Sequence, residues 1–313
     1  SLFVDTKPVE IRNGVSVARI ALNTYRFYYR GDSADVDLNL PAGAVYEPPY
    51  PLGQHRIPRH HNFAILHTGQ GDGWDRNRPS MSSVILYHGL IYLIDAGPGV
   101  LQVLTSLGID ISEVEGIFHT HAHDDHFAGL PALIRSDRRM RYYATAMVRS
   151  SVIKKFSALM SLDEGQFYQF FDVCDLRSEQ WNDCDGLLVK PYFSPHPVEN
   201  TMFLFKAREG NEEKTYGHWA DLSSFKVLDG MVGVGEHDLS AEVAEGIKRT
   251  YLEVADLKKL DIGGGMIHGV AEDFRCDRSG RLILAHIDRK LTPEEMEIGS
   301  EAAFGAVDIL IPG

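Results

Sequence analysis

Between two apolar runs the chain reads IFHTHAHDDHFAGL over residues 117–130, which places four histidines and two aspartates within residues 119–126. Alternate residues of a strand face the same way, so His119, His121 and His123 project together as the strand runs out. Asp125 and His126 then fall in the turn that enters the next helix. Imidazole and carboxylate are ligands that divalent transition metals accept, zinc above all. Without a cation, so many imidazoles would repel one another when protonated and would cost desolvation when buried. His121 and His123 therefore read as ligands of one ion, and Asp125 and His126 as facing a second position nearby. His119 reads as a buried neighbour.

One turn cannot close two metal sites, so the remaining ligands are sought at other strand ends. YFSPHPVEN offers His196 between two prolines, YGHWADLSS offers Asp221 and also His218, and LILAHIDRK offers His286 after an apolar strand.

Around these points the pattern of apolar residues predicts a mixed α/β chain. Residues 10–30 read as strands, and about 1–60 as an N-terminal β extension of a single domain spanning 1–313. SSVILYHGLIYLIDAG reads as a hairpin turning at His88–Gly89. Residues 146–181 and 222–257 read as largely helical insertions, and TPEEMEIGSEAAF as a helix opened by Thr and Pro. The chain could be one domain of a longer protein. The proline-rich connector over 41–58 carries His55, followed by His60 and His61; these read as a solvated loop, with a lid over a site entrance as the sharper alternative.

Other classes are disfavoured. GQGDG lacks the Gly-Lys-Ser/Thr of a phosphate loop. A formal charge of −13 argues against broad nucleic-acid binding. No window approaches 18 apolar residues, so no membrane partner is expected. Cys174, Cys184 and Cys276 share no CxxC spacing and fit a reducing, cytoplasmic setting.

On THAHDDHFAGL, YLIDAGPG, SPHP, GHWAD and LILAHI, the sequence resembles the metallo-β-lactamase superfamily. That resemblance implies a four-layer αββα sandwich with a dinuclear site at one edge. His121, His123 and His196 would hold one ion, and Asp125, His126 and His286 the other, with Asp221 bridging and Asp95 orienting a ligand. LHTGQGDGWDRNRPSMSSVIL and RLILAHIDRK are similar to the ribonuclease Z and phosphodiesterase branch, and His268 sits where that branch carries an extra catalytic histidine.

The expected cofactors are two divalent ions, zinc first, with iron or manganese as alternatives. The expected activity is metal-dependent hydrolysis of a phosphodiester, with Asp125 in the catalytic set, His268 as proton donor and Asp261 orienting it. Arg76 or Arg78 would contact substrate oxygens. The substrate is expected to be small and anionic rather than tRNA, because no basic, Gly/Pro-rich arm is evident. A homodimer is left open. The alternatives are a thioester or lactone hydrolase, a module whose metal is structural, and a di-iron redox or oxygen-binding protein. His123, where such iron relatives often carry Glu, disfavours the last.

Overall fold

The computed structural model describes residues 7–22, 24–37, 59–73, 77–233, 238–265 and 267–313, with single residues 39, 43, 57, 75 and 235. Two compact units result, Ser1–Pro48 and Pro49–Gly313. The first is an antiparallel meander of β1 (Val9–Arg12), β2 (Val15–Ala21), β3 (Thr24–Tyr29) and β4 (Asp32–Asp37). Its first turn is Asn13–Gly14, both at positive φ, the backbone a two-residue hairpin turn requires.

The second unit holds two sheets. One has the order β10 (Phe171–Leu176), β9 (Met140–Thr145), β8 (Val114–Phe118), β7 (Leu90–Ile94), β6 (Ser82–Tyr87), β5 (Phe63–Gly69) and β17 (Val307–Ile311). The other has the order β11 (Asn182–Cys184), β12 (Leu187–Phe193), β13 (Thr201–Glu209), β14 (Glu212–Trp219), β15 (Leu257–Asp261) and β16 (Leu282–Ala285). The helices are α1 (Val100–Ser106), α2 (Asp124–Phe127), α3 (Leu130–Leu133), α4 (Ala146–Met160), α5 (Phe167–Phe170), α6 (Phe225–Gly230), α7 (Ala241–Tyr251) and α8 (Pro293–Met296).

Strand alternation sorts the side chains into layers. Phe63 and Ile65 of β5 meet Phe203 and Phe205 of β13 in an apolar layer between the sheets. Ala64 and Leu66, one residue out of phase, pack instead with Val103, Leu104, Val152 and Phe156 of α1 and α4. On the far sheet Met202 and Leu204 turn outward to Leu228, Ile247 and Tyr251 of α6 and α7. Helix, sheet, sheet, helix is therefore the order of layers. Phe205→Ala would cost about 3–5 kcal/mol by emptying the central layer.

Three expectations need correction. Residues 146–181 carry α4 and α5 but are helical only as far as Phe170: β10 follows, because Phe171–Leu176 pairs in parallel with Met140–Thr145 and so satisfies its backbone at the sheet edge. Residues 222–257 hold α6 and α7 and then enter β15, a strand hidden from the hydrophobic pattern by Lys258 and Lys259. The helix expected over TPEEMEIGSEAAF is only Pro293–Met296. Its continuation turns to lie beside β16, where Leu284 N donates to Ser300 O. The connector residues that include His55 lie outside the described residues.

Candidate metal centre

The candidate side chains come from strand ends. β8 stops at Phe118, and His119–Ala122 lead without regular structure to His123, which caps α2, the helix that carries Asp125 and His126. His196 follows β12, Asp221 follows β14 and His286 follows β16. Asp95 follows β7. Asp95, Asp221 and His286 all have positive φ, a conformation that Asp and His tolerate better than most residues and that concentrates at functional sites.

The termini converge into two adjoining sets. Ligand atoms of His121, His123, His196 and Asp221 lie within 4.8 Å of one another, and so do those of Asp125, His126, Asp221 and His286. Asp221 belongs to both through different oxygens. Its Oδ2 is 3.3 Å from His121 Nε2 and 3.4 Å from His196 Nε2, while its Oδ1 is 3.1 Å from His126 Nε2 and 3.5 Å from His286 Nε2. His123 Nδ1 lies 3.0 Å from His196 Nε2, and Asp125 Oδ2 lies 3.1 Å from both His126 Nε2 and His286 Nε2. Ligands held about 2.0–2.1 Å from a tetrahedral ion are themselves about 3.3 Å apart, so the spacing suits first-row divalent cations. The buried His121 Nε2, His126 Nε2 and Asp221 Oδ1 have no hydrogen-bond partner. Buried polar atoms rarely go unpaired, and a cation in each set would satisfy all three. The residues present therefore fit two divalent ions.

The supporting contacts aim these atoms. Asp95 Oδ2 accepts from His126 Nδ1 at 2.7 Å and from Thr120 Oγ1 at 2.7 Å, and Oδ1 accepts from Thr120 N at 2.8 Å. The first bond fixes the His126 tautomer and leaves Nε2 for the centre. Asn200 Nδ2 donates to Asp221 O at 2.7 Å, and Ser194 Oγ to the same carbonyl at 3.3 Å. Asn200 and Ser194 carry no ligand signature, and sequence reading passed over them. Gly73 is obligatory, because a Cβ there would come within 2.4 Å of Asp125 Cβ at φ +86.

Electrostatics follow from the same contacts. Burial opposes charge on Asp221, but His286, His126 and His121 outweigh it and hold the carboxyl well below its ordinary range. Burial likewise opposes charge on Asp125, and His126 and His286 overcome it. For His286 the order reverses: burial lowers the pKa, but Asp221 and Asp261 raise it to about 9. Burial dominates at His196, which is pushed down to about 3.

Beside the centre, His268 Nδ1 donates to Asp261 Oδ2 at 3.0 Å. Asp261 is itself fixed by Leu222 N at 2.8 Å and Gly263 N at 2.8 Å. Burial lowers the His268 pKa, but the bond to Asp261 more than compensates and the net shift is upward. A cavity of about 490 Å³, lined by His123, Asp125, Asp221, Ile267, His268 and His286 among others, opens onto this array.

The sequence profile of the β-lactamase superfamily domain matches residues 91–210. Ribonuclease Z of Pseudomonas putida is 27% identical over 225 residues, 70% of this chain and 61% of that one. Ribonuclease Z of Thermococcus kodakarensis is 39% identical over 62 residues, 20% of this chain and 19% of its own length. The crystal structure of the metallo-β-lactamase fold protein YhfI from Bacillus subtilis superposes with a TM-score of 0.58 at 17% identity, covering 78% of this chain and 98% of that one. The chain has the metallo-β-lactamase fold, and the curated relatives it matches here are ribonucleases Z. Its matches span about a fifth to a half of the first curated ribonuclease Z relatives.

Other candidates of this metallo-β-lactamase-fold chain sit elsewhere. His119 is fully buried with neither ring nitrogen partnered, lies in neither ligand set, and is pushed down to about 4 by burial. His218, an alternative to Asp221, instead accepts or donates at 2.9 Å with Tyr216 between the sheets. Arg78 Nη1 donates to Arg289 O at 3.1 Å and so braces the loop after His286. Arg76 lies outside the described residues. His60 and His61 are not among the described residues lining the cavity, and His61 Nδ1 accepts from Gly313 N at 3.4 Å.

Proposed function

We propose that this chain is a dinuclear metal-dependent hydrolase of small phosphodiesters, with zinc as its metal. The observation that carries the reading is Asp221, whose two oxygens face two separate sets of ligand atoms. His121, His123 and His196 would hold one ion and Asp125, His126 and His286 the other, with Asp221 shared. Bound there, two divalent ions supply an activated water and Lewis-acid stabilisation of charge on phosphorus.

The protein's own groups do the rest. Three carboxylates, Asp95, Asp125 and Asp221, are kept ionised by their histidines, so the protons that entering cations must displace sit on the His126 and His286 rings rather than on carboxyl groups. Asp261 grips His268 through Nδ1 and raises its affinity for a proton, which suits the ring to protonate a leaving alkoxide through its other nitrogen near neutral pH. Gly263 lets the 261–268 segment approach, since a Cβ there would meet His268 Cγ at 3.1 Å and His286 O at 2.9 Å.

The test is a turnover screen of zinc- and manganese-loaded protein with bis-p-nitrophenyl phosphate, cyclic nucleotides, thioesters and lactones. Phosphodiester cleavage that disappears with a chelator and returns with metal supports the reading. Turnover of a thioester or lactone alone would overturn it in favour of carbonyl chemistry at the same centre.

A further inference from the structure

The loop with His196 leaves β12 and the loop with Asp221 leaves β14, and β13 lies between these strands. Sheet hydrogen bonds therefore do not fix the two loops against each other. Buried side chains do. Ser223 Oγ donates to Pro195 O at 2.8 Å, next to His196, and Ser194 Oγ donates to Asp221 O at 3.3 Å. Both serines also meet one further group, the hydroxyl of Tyr251 in the last turn of α7. Ser194 Oγ lies 2.7 Å from Tyr251 OH, and Ser223 N donates to the same oxygen at 3.4 Å. Since the Ser194 proton goes to Asp221 O, the phenol is the donor to Ser194 Oγ. Burial pushes the Tyr251 pKa up, which keeps that proton in place.

The other end of Tyr251 is anchored. Trp219 Nε1 donates to Tyr251 O at 3.1 Å and Lys258 Nζ donates to it at 3.2 Å, and Lys258 is itself paired with Asp277. The ring packs among Leu228, Ile247 and Leu260, where a phenylalanine would fill the same space. Nothing in that apolar packing calls for a hydroxyl, and burying one is costly unless it is bonded. Its two partners both belong to the ligand-bearing loops. Asp221 has φ +45, a backbone that a residue other than glycine keeps only where its surroundings over-determine it.

We propose, resting on the metal-centre reading above, that Tyr251 is a positioning residue for metal uptake. Its hydroxyl locks the His196 loop to the Asp221 loop and so holds the shared carboxylate between the two ligand sets.

Competition for zinc with a chromogenic chelator tests this without turnover. Tyr251→Phe should weaken zinc affinity about tenfold or more. It should also shift the visible absorption of cobalt(II)-loaded protein, which reports ligand geometry. Ile247→Val trims the same apolar cluster and is the control for a merely structural role. That variant should melt at a lower temperature yet keep the parent's zinc affinity and cobalt spectrum. Ser194→Ala breaks the chain one bond further on, so the loss caused by Tyr251→Phe should shrink in its background. Parent-like affinity and spectrum in Tyr251→Phe, or an equal loss in Ile247→Val, overturn the proposal. If Tyr251→Phe does not melt cooperatively, Ser194→Ala is read by the same two measurements, and parent values there overturn it as well. A parent that takes up neither zinc nor cobalt defeats the metal-centre reading itself, and the role of Tyr251 with it.

Discussion

Two regions of the interior are polar, and they solve burial in opposite ways. Between the sheets, Ser83 Oγ meets Tyr216 OH at 2.9 Å, and Tyr216 OH meets His218 Nδ1 at 2.9 Å. Nearby, Lys259 Nζ donates to Gly69 O at 2.5 Å and Ser82 O at 2.6 Å. Burial pushes His218 down to about 3 and Lys259 down to about 7, so this seam lowers its cost by shedding charge. At the candidate metal centre the carboxylates stay ionised, and buried imidazole nitrogens of His121 and His126 converge on them without a hydrogen-bond partner. A buried histidine is thus no evidence of a metal by itself. Convergence of its unpaired nitrogen with a shared carboxylate is what separates His121 from His218.

The largest test of that distinction is removal of the shared carboxylate. Asp221→Ala should lose metal, measured by plasma mass spectrometry, and should lower turnover more than about 100-fold, beyond the cost of losing a mere orienting partner. His218→Gln should keep full metal content. Loss of metal in that variant would erase the contrast between the regions. His268→Ala should keep metal and lower kcat by about 10²–10⁴, and a normal kcat would remove this histidine from the chemistry. Asp95→Asn should weaken metal affinity about 10–100-fold in competition with a chromogenic chelator, because His126 loses the acceptor that fixes its ring.

Metal uptake should also release protons. In the metal-free protein His286 holds its proton up to about pH 9, so an ion entering at pH 7.5 must displace it. Calorimetry in two buffers of different ionisation enthalpy measures that release, and apparent affinity should fall as pH is lowered. Binding without proton release would mean that His286 is not a ligand.

How far the sequence reaches follows the same physics. Strands such as Phe63–Gly69 and the Ser82–Ile94 hairpin announce themselves by apolar runs bounded by turn residues. The clustered candidates at 121–126 do so as well, because chemistry concentrates unusual residue types where a strand ends. LKKLD did not: both lysines are fully buried in β15, one against Asp277 and one against backbone carbonyls, so local composition says surface while the tertiary contacts say core. Asn200 and Ser194 were equally silent, since a side chain that holds a backbone carbonyl leaves no periodic trace. The bracing bonds of Arg78 were silent too, because its partners, the carbonyls after His286, are 209 and 211 residues away.

The smallest expected effect comes from the seam, and it has the opposite sign to that of His286 at the metal centre. Lys259 has a folded pKa of about 7 against 10.5 when unfolded. Between those values the unfolded chain binds more protons, so this residue makes stability rise with pH; below about pH 7 both states are charged and the burial cost is present in full. His286 runs the other way, from 6.5 unfolded to about 9 folded. Its stabilisation is complete below about pH 6.5 and is lost as pH climbs through 9. In metal-free protein the two slopes therefore oppose each other across pH 7–9. Saturating metal removes the His286 slope, and Lys259→Met removes the other. The melting temperature of the metal-loaded parent, minus that of metal-loaded Lys259→Met, should climb between pH 7 and 10, at about 2–4 °C per kcal/mol for a chain of this size. A flat difference would show that the Gly69 and Ser82 carbonyls keep Lys259 as an ammonium ion. The seam would then be a charged interior like the metal centre, distinguished only by drawing its cation from a side chain.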